Sequence, residues 1–317
     1  MPPAATVDEG ETFTPPASEP RSIAILTGAD LRHRRFALLV QREFPKLAKA
    51  WFECPAFSLN PIRGLGRRDG GGFELLQRAR KRLLAGRSSG TLPAGVAPLT
   101  DARGSLRTLY YLRKRRAGQL ASEKRLFSDE VAELMATRQL DPEPVSDPNG
   151  PEFLAQLKAL NPYFLLVLGG PLLRSEVLAC ARGLALNQHA GWSPDYKGSH
   201  TIEWALYHRD LDAVGATVHL MSAGADAGPI LRRARAALLP EDTLEDCFSR
   251  VVALGSDLMV EVLREVIAGH TLPVLKQDPA AGRTYRGHEL DGKVLARLYR
   301  DFASGWLAEE LVRRRRI

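Results

Sequence analysis

The sequence predicts an α/β protein built on a doubly wound, mostly parallel sheet with helices on both faces and a small C-terminal extension. Three observations carry this. Tyr163 to Leu168 is an almost wholly apolar run that ends at Gly169-Gly170-Pro171, as expected of a central strand covered on both faces. Ile23-Ala24-Ile25-Leu26 is a similar run that ends at Thr27-Gly28 and leads into a helical pattern. Short apolar runs then alternate with stretches of helical periodicity, the arrangement that gives parallel strands joined by crossover helices.

Residues 1–20 hold five prolines among small and acidic residues, so they cannot repay the entropy of ordering and are expected to be disordered. The fold starts at the strand Ile23 to Leu26. Asp30 is a suitable N-cap for a helix whose Phe36, Leu39, Val40 and Phe44 share one face. A second strand is expected near Ala50 to Cys54. The region from about 60 to 150 is rich in Arg, Gly and Ser, and reads as a long helical insertion with pieces at Phe73 to Leu84, Ser105 to Arg116 and Ser122 to Met135. Glu152 to Leu160 is amphipathic, and after the Tyr163 to Leu168 strand come a helix around Ser175 to Cys180 and a strand at Gly183 to Leu186. Val214 to Met221 alternates apolar with small or polar residues, as a strand does. Thr243 caps a helix carrying Leu244, Phe248, Val251, Leu258, Val262 and Val266 at helical spacing, stopping at Gly269. The catalytic domain is thus expected over 21–269, with 270–317 an extension of two short helices.

Composition narrows the class. The 317 residues are 44% hydrophobic, enough for one large core. No run approaches the roughly 18 apolar residues of a membrane helix, and the start lacks a charged segment followed by an apolar one, so the expectation is a cytoplasmic protein with no membrane partner. Cys54, Cys180 and Cys247 are odd in number and widely spaced, which indicates neither a disulfide framework nor a structural metal. Lys plus Arg number 44 against 37 Asp plus Glu, leaving +7. The excess lies in Arg78 to Arg87, Arg113 to Arg116 and Arg313 to Arg316, and without stacking aromatics or a nucleic-acid motif these read as solvated faces.

The chemistry gathers in two places. Asn187 and His189 stand at the end of a strand, two residues apart, so their side chains point to one side. Asp226 lies in the loop after the Val214 to Met221 strand, and polar groups at strand ends of such sheets gather in one crevice. A carboxamide can donate to an oxyanion as a carbonyl carbon becomes tetrahedral, an effect of about 3 to 4 kcal/mol. An imidazole can donate or carry a proton, and a carboxylate can orient it or accept a proton from an attacking amine. The sequence has no nucleophile elbow, no His-Glu-x-x-His, no Walker loop and no Gly-x-Gly-x-x-Gly after the first strand, which favours direct acyl transfer. Alone, Asn-x-His and Asp-x-Gly are short patterns that also serve turns.

Together with their spacing, these motifs resemble a family. Asn161 to Gly269 is similar to the Rossmann-like catalytic core of the formyltransferases that use 10-formyltetrahydrofolate, which act on glycinamide ribonucleotide, methionyl-tRNA or amino sugars. The resemblance implies that Asn187, His189 and Asp226 are catalytic. It further implies that Leu168, Gly169, Gly170, Pro171, Leu172 and Leu173 form one wall of the folate pocket, and that Ala223, Gly224, Ala225 and Gly228 cup the pterin. Ser193-Pro194-Asp195-Tyr196-Lys197-Gly198 corresponds to the family's loop after the histidine. Arg32, His33, Trp192, Lys197 and Gly198 are then candidates for the acceptor. Surface charge, packing aromatics and an Asp195–Lys197 pair are the plainer readings of that group.

Thr27-Gly28-Ala29-Asp30 differs from the phosphate turn of the glycinamide ribonucleotide enzymes, and Gly191-Trp192-Ser193-Pro194 differs from the Ser-Leu-Leu-Pro loop of the tRNA enzymes. The expectation is a folate-dependent N-formyltransferase acting on a small amine, that of an amino sugar or nucleotide-sugar, with nucleic acid disfavoured and a homodimer allowed. Two alternatives stay open. One is a formyl-folate hydrolase, disfavoured because no regulatory domain is seen ahead of the first strand. The other is a non-catalytic basic protein that binds nucleic acid on the same fold.

Overall fold

In the computed structural model the described residues are 11–15, 21–55, 100–222, 224, 226–278 and 280–314. Their centre is a seven-stranded sheet of β2 (Ile23–Thr27), β3 (Ala48–Glu53), β4 (Pro142–Pro144), β5 (Phe164–Leu168), β6 (Leu184–His189), β8 (Gly215–Leu220) and β9 (Ile230–Arg235), in the order β4-β3-β2-β5-β6-β8-β9. The first five of that order run parallel; β8 is antiparallel to β6, and β9 to β8. The mostly parallel α/β sheet is therefore present.

Period-two alternation explains why β2 and β5 read as unbroken apolar runs. Ile23, Ile25, Phe164 and Leu166 point into one cluster, which also holds Phe36, Leu39 and Val40 of α1 (Leu31–Glu43) and Val251, Leu258 and Val262 of α6 (Leu244–Ile267). Ala24, Leu26, Leu165 and Val167 point into the opposite cluster with Phe153 and Leu157 of α3 (Pro151–Leu160) and Val177 of α4 (Ser175–Leu178). Both faces are covered over β2 and β5, so these strands are apolar up to Thr27, whose hydroxyl accepts from the Trp51 Nε1–H at 2.9 Å. Thr243 caps α6 as expected, accepting from the Asp246 N–H at 3.2 Å.

Several expectations change. The helices at Ser105 to Arg116 and Ser122 to Met135 are one helix, α2 (Thr100–Ala136). Gly118 does not break it: a Cβ there would run into the Glu245 side chain, so the glycine lets α2 lie close against α6. The inward face of α2 carries Arg115, Gln119, Ser122 and Glu123, all buried, which is why its apolar periodicity was faint. Phe127, Val131 and Leu134 lie in the main cluster, so the C-terminal half of α2 packs into the core. The expected helix at Phe73 to Leu84 and the basic stretch Arg78 to Arg87 lie outside the described residues, as do Arg315 and Arg316.

The terminal segments also join the core. Within 1–20, expected to be disordered, β1 (Glu11–Phe13) pairs antiparallel with β10 (Leu272–Val274). After β10 come β11 (Arg283–Tyr285), α7 (Gly292–Ala303) and α8 (Trp306–Arg314). Leu295 and Leu298 of α7 and Trp306 and Leu307 of α8 are buried in the main cluster. The two helices of the extension were expected; their incorporation into the core was not. No helix among the described residues is long and apolar enough to cross a membrane.

Candidate active site

The site lies on the face of β6 opposite α6. Leu184 and Leu186 point into the α1/α6 cluster, and Gln188 follows them, donating to Val252 O at 2.6 Å. By alternation Asn187 and His189 face the other way. That face is covered by α3 and α4 over β2 and β5, while over β6 and β8 residues 196–198 and Asp226 approach it in place of a helix. Antiparallel register puts His219 opposite Asn187 and Thr217 opposite His189, so the neighbouring strand adds its own side chains to the same face.

Asp226 reaches this face by a different route from the expected one. Because β8 is antiparallel, its end does not lie beside the end of β6, and the loop after it must fold back over the sheet. Asp226 does this with φ +50°, a left-handed conformation that Asp tolerates better than most residues. Its carboxylate then meets four groups. His189 Nδ1 is 3.3 Å from Oδ2 and His219 Nε2 is 3.3 Å from Oδ1. Asn187 Nδ2 donates to Oδ1 at 3.2 Å, and the Gly198 N–H donates to Oδ2 at 2.8 Å. The loop main chain is held as well, since Gln277 Nε2 donates to the carbonyls of Asp226 at 2.9 Å and Gly228 at 2.5 Å.

The electrostatics follow from this packing. Burial acts to raise the Asp226 carboxyl, but His189, His219 and the Gly198 N–H outweigh it and hold it at about 2. His189 is held below the usual imidazole range, chiefly by burial, with Asp226 opposing and His219 adding to the shift. Its Nε2 lies 3.0 Å from Tyr196 O and 3.5 Å from Thr201 Oγ1. Nδ1 thus faces a carboxylate and Nε2 a carbonyl, both acceptors, so the cage is shaped for a ring that can take up a second proton. His219 Nδ1 faces the Leu220 carbonyl at 2.8 Å and its Nε2 lies 3.1 Å from Asn187 Nδ2. The amide nitrogen of Asn187 therefore spans His219 and Asp226.

The three residues expected to be catalytic are brought together. His219, within the strand expected over Val214 to Met221, is a fourth member. The signal that could have found it is its parity with Thr217, but the register that sets Asn187 against His219 depends on an antiparallel strand the motifs do not reveal.

The other expected residues divide. Gly198 is at the site through its N–H, and its φ of +88° with the Tyr285 carbonyl close by leaves no room for a side chain. Lys197 is buried in β7 (Tyr196–Gly198). Leu168 and Leu173 are buried, Leu172 is 59% exposed, and Gly169 and Gly170 turn the chain between them with φ +80° and +99°. Pro171 is also exposed. Gly169 lies against His33 Nε2. Gly224 is exposed, and Gly228 is buried hard against the Leu220 carbonyl. Ala223 and Ala225 lie outside the described residues.

Arg32 and His33 are not exposed at a crevice mouth. Arg32 is 4% exposed and pairs with Asp30 and Glu123. His33 is 2% exposed, with its Nδ1 3.4 Å from the Asp30 N–H. Asp30 stands at the N-cap position, yet its carboxylate goes to Arg116 and Arg32. Trp192 is half-buried beneath two guanidiniums, Arg233 at 4.4 Å and Arg235 at 5.0 Å from its ring centre. Trp204 is buried in a stack with Tyr285.

Residues 113–263 match the family described as Formyl transferase. The match takes in α2 from Arg113 onward and ends within α6. Among curated proteins, the methionyl-tRNA formyltransferase of Caldanaerobacter subterraneus subsp. tengcongensis is 31% identical over 153 residues, 48% of each chain. That of Anaeromyxobacter dehalogenans is 36% identical over 157 residues, 49% of each. The chain spans about half the length of the curated relatives it matches. A sugar N-formyltransferase structure from a Shewanella species superposes with a TM-score of 0.48 at 14% identity, covering 84% of this chain and 78% of that one. A phosphoribosylglycinamide formyltransferase from Streptococcus pneumoniae gives 0.44 at 14% identity, covering 78% and 99%.

Proposed function

We propose, from the match of residues 113–263 to the formyl transferase family, that the chain belongs to that family and moves a formyl group from 10-formyltetrahydrofolate to a primary amine. The observation that carries the proposal is the convergence of Asn187, His189 and His219 on the Asp226 carboxylate. The folate supplies an activated formyl carbon when bound. The wall from Leu168 to Leu173 fits such a ligand, because exposed Leu172 and the open backbone of Gly169 and Gly170 offer apolar contact and bare peptide groups to a flat ring.

The protein's own groups divide the work. Asn187 turns an amide N–H from Asp226 or His219 toward the oxygen that gains charge as the formyl carbon becomes tetrahedral. His189, held by Asp226, exchanges its contact with the Tyr196 carbonyl for that same oxygen. Asp226 stays ionised across the working pH range, fixes the imidazole and relays the proton lost by the attacking amine, directly or through water, to the folate nitrogen whose bond to the formyl carbon breaks. No covalent enzyme intermediate is required.

For the acceptor we propose an amino sugar carrying an anionic group, such as a nucleotide-sugar. Trp192 with Arg233 and Arg235, on the loop that follows His189 and on β9, supplies an aromatic surface and positive charge beside the site. A second reading keeps the chemistry and takes the amine of an aminoacyl-tRNA, favoured by the names of the curated relatives. It requires competition by tRNA and a steep loss of affinity with salt.

The binding half of the proposal is tested by the unfolding temperature with a stable reduced formyl-folate. At about 100 times its dissociation constant a ligand adds roughly 2.7 kcal/mol, a rise of several degrees in a chain of this size. No rise at saturation counts against the folate assignment.

A further inference from the structure

We infer that Gln277 is a positioning residue, through which the segment following β10 holds Asp226 in its catalytic conformation. This rests on the proposed formyl transfer, and it concerns residues beyond 263, where the family match ends.

The geometry is specific. Asp226 sits at φ +50° in a loop that must fold back over an antiparallel strand, and such a conformation persists only when its surroundings impose it. Its side-chain bonds cannot do this alone, since a carboxylate can follow its partners while the main chain relaxes. Gln277 Nε2 donates to the carbonyls of both Asp226 and Gly228, and so closes the loop across its base. Gln277 Oε1 is buried with no hydrogen-bond partner among the described residues, so the amide makes its bonds from the nitrogen and is oriented by those two carbonyls.

Gln277 is itself anchored. Two residues before it, Leu275 exchanges both main-chain hydrogen bonds with Ile230, at 2.8 and 2.9 Å, and Ile230 begins the strand into which the Asp226 loop runs.

The same C-terminal segment reaches Asp226 from a second side. β11 pairs in parallel with β7, setting Tyr285 against Gly198, and the Ser199 N–H donates to Tyr285 O at 2.9 Å. Gly198, held there, donates to the Asp226 carboxylate. One stretch of chain thus fixes the Asp226 backbone through Gln277 and its carboxylate through β7. The groups that face His189 and report on this are Asp226 from its loop, His219 from β8, the Tyr196 carbonyl from β7 and the Thr201 hydroxyl of α5 (Thr201–Tyr207).

The test compares the wild type with Gln277→Met, which keeps the volume and loses the donor, and with the milder Gln277→Asn, whose amide falls one methylene short. The His189 ring is titrated by NMR in each, with Asp226→Asn as the reference for an imidazole deprived of its carboxylate. The expected result is a His189 midpoint in both Gln277 variants lowered by at least about half the Asp226→Asn shift. With that shift, the turnover number for formyl transfer falls about 10-fold and the folate KM stays within about twofold. A wild-type midpoint and a wild-type turnover number in both variants would overturn the inference, as would a lowered melting temperature with neither changed. The titration needs no substrate, so it still decides the role of Gln277 if the wild type transfers no formyl group.

Discussion

His189 Nδ1 lies 3.3 Å from Asp226 Oδ2, although the two residues come from a strand and from a loop 37 positions later that folds back over the sheet. The contact joins a carboxylate held at about 2 to an imidazole that burial keeps below its usual range. It sets a fixed negative charge beside the buried ring. Asp226→Asn keeps the shape and removes the charge. It is expected to lower the turnover number at least about 100-fold with the fold retained by circular dichroism, and near-normal turnover would remove Asp226 from the mechanism.

The turn after β6 is also specific. A Cβ on Gly191 would fall well inside van der Waals distance of His189 Nε2 and Thr201 Oγ1. Gly191→Ala must displace the imidazole from Asp226 or shift α5. The expected outcome is a loss of turnover comparable to that of a His189 variant, with a smaller effect on stability than a large core truncation. Kinetics and calorimetry on the same preparation check it.

Arg32 separates a structural role from acceptor binding. It is enclosed, pairs with Asp30 and Glu123, and lies 5.9 Å from the Phe248 ring centre. Removing Arg32 leaves the buried Glu123 carboxylate uncompensated, while Asp30 keeps Arg116, at a cost of about 3 to 5 kcal/mol. Arg32→Ala is therefore expected to lower stability by that order in denaturant titration. A raised acceptor KM at unchanged stability would instead make Arg32 a binding residue.

Stability is expected to fall between pH 7 and pH 5. Burial, aided by Arg32 and Arg116, holds His33 well below 6.5; burial also lowers His189, and it takes His200 to about 4. In that window the unfolded chain binds protons that the folded chain does not, so stability decreases as pH falls, by about 1.4 kcal/mol per imidazole per unit until the folded-state pKa is reached. Glu123 and Glu245, raised by burial, act in the opposite sense near their own range. Asp226, depressed to about 2, contributes its full stabilisation throughout and loses it only in stronger acid. A melting temperature that is flat or rises from pH 7 to pH 5 would contradict this balance.

What could be read from the sequence follows from where side chains carry a pattern. β2, β5 and α6 were legible because both faces of the first two and one stripe of the third are apolar. Asn187 and His189 were legible as a pair because strand parity alone sets their common side. α2 was seen only in pieces, because its buried face is charged and Gly118 imitates a break. β9, with four of six positions Arg or Ala and no clean alternation, gave no strand signal. The burial of Arg32 and His33 was not legible, because nothing local announces that Glu123 and Arg116 will arrive from a helix some 85 to 90 positions away. His219 and Gln277 depend on pairing between distant segments, which residue spacing does not encode.

The most direct test of the central claim is product formation from 10-formyltetrahydrofolate and a panel of primary amines, led by nucleotide-linked amino sugars and including an aminoacyl-tRNA. One class of amine is expected to give tetrahydrofolate and a formamide in equal amounts, with the yield falling at least about 100-fold in Asn187→Ala, His189→Ala and Asp226→Ala. Formate released without any amine would mark a hydrolase instead. No formamide from any amine, or undiminished formation in all three variants, would contradict the claim.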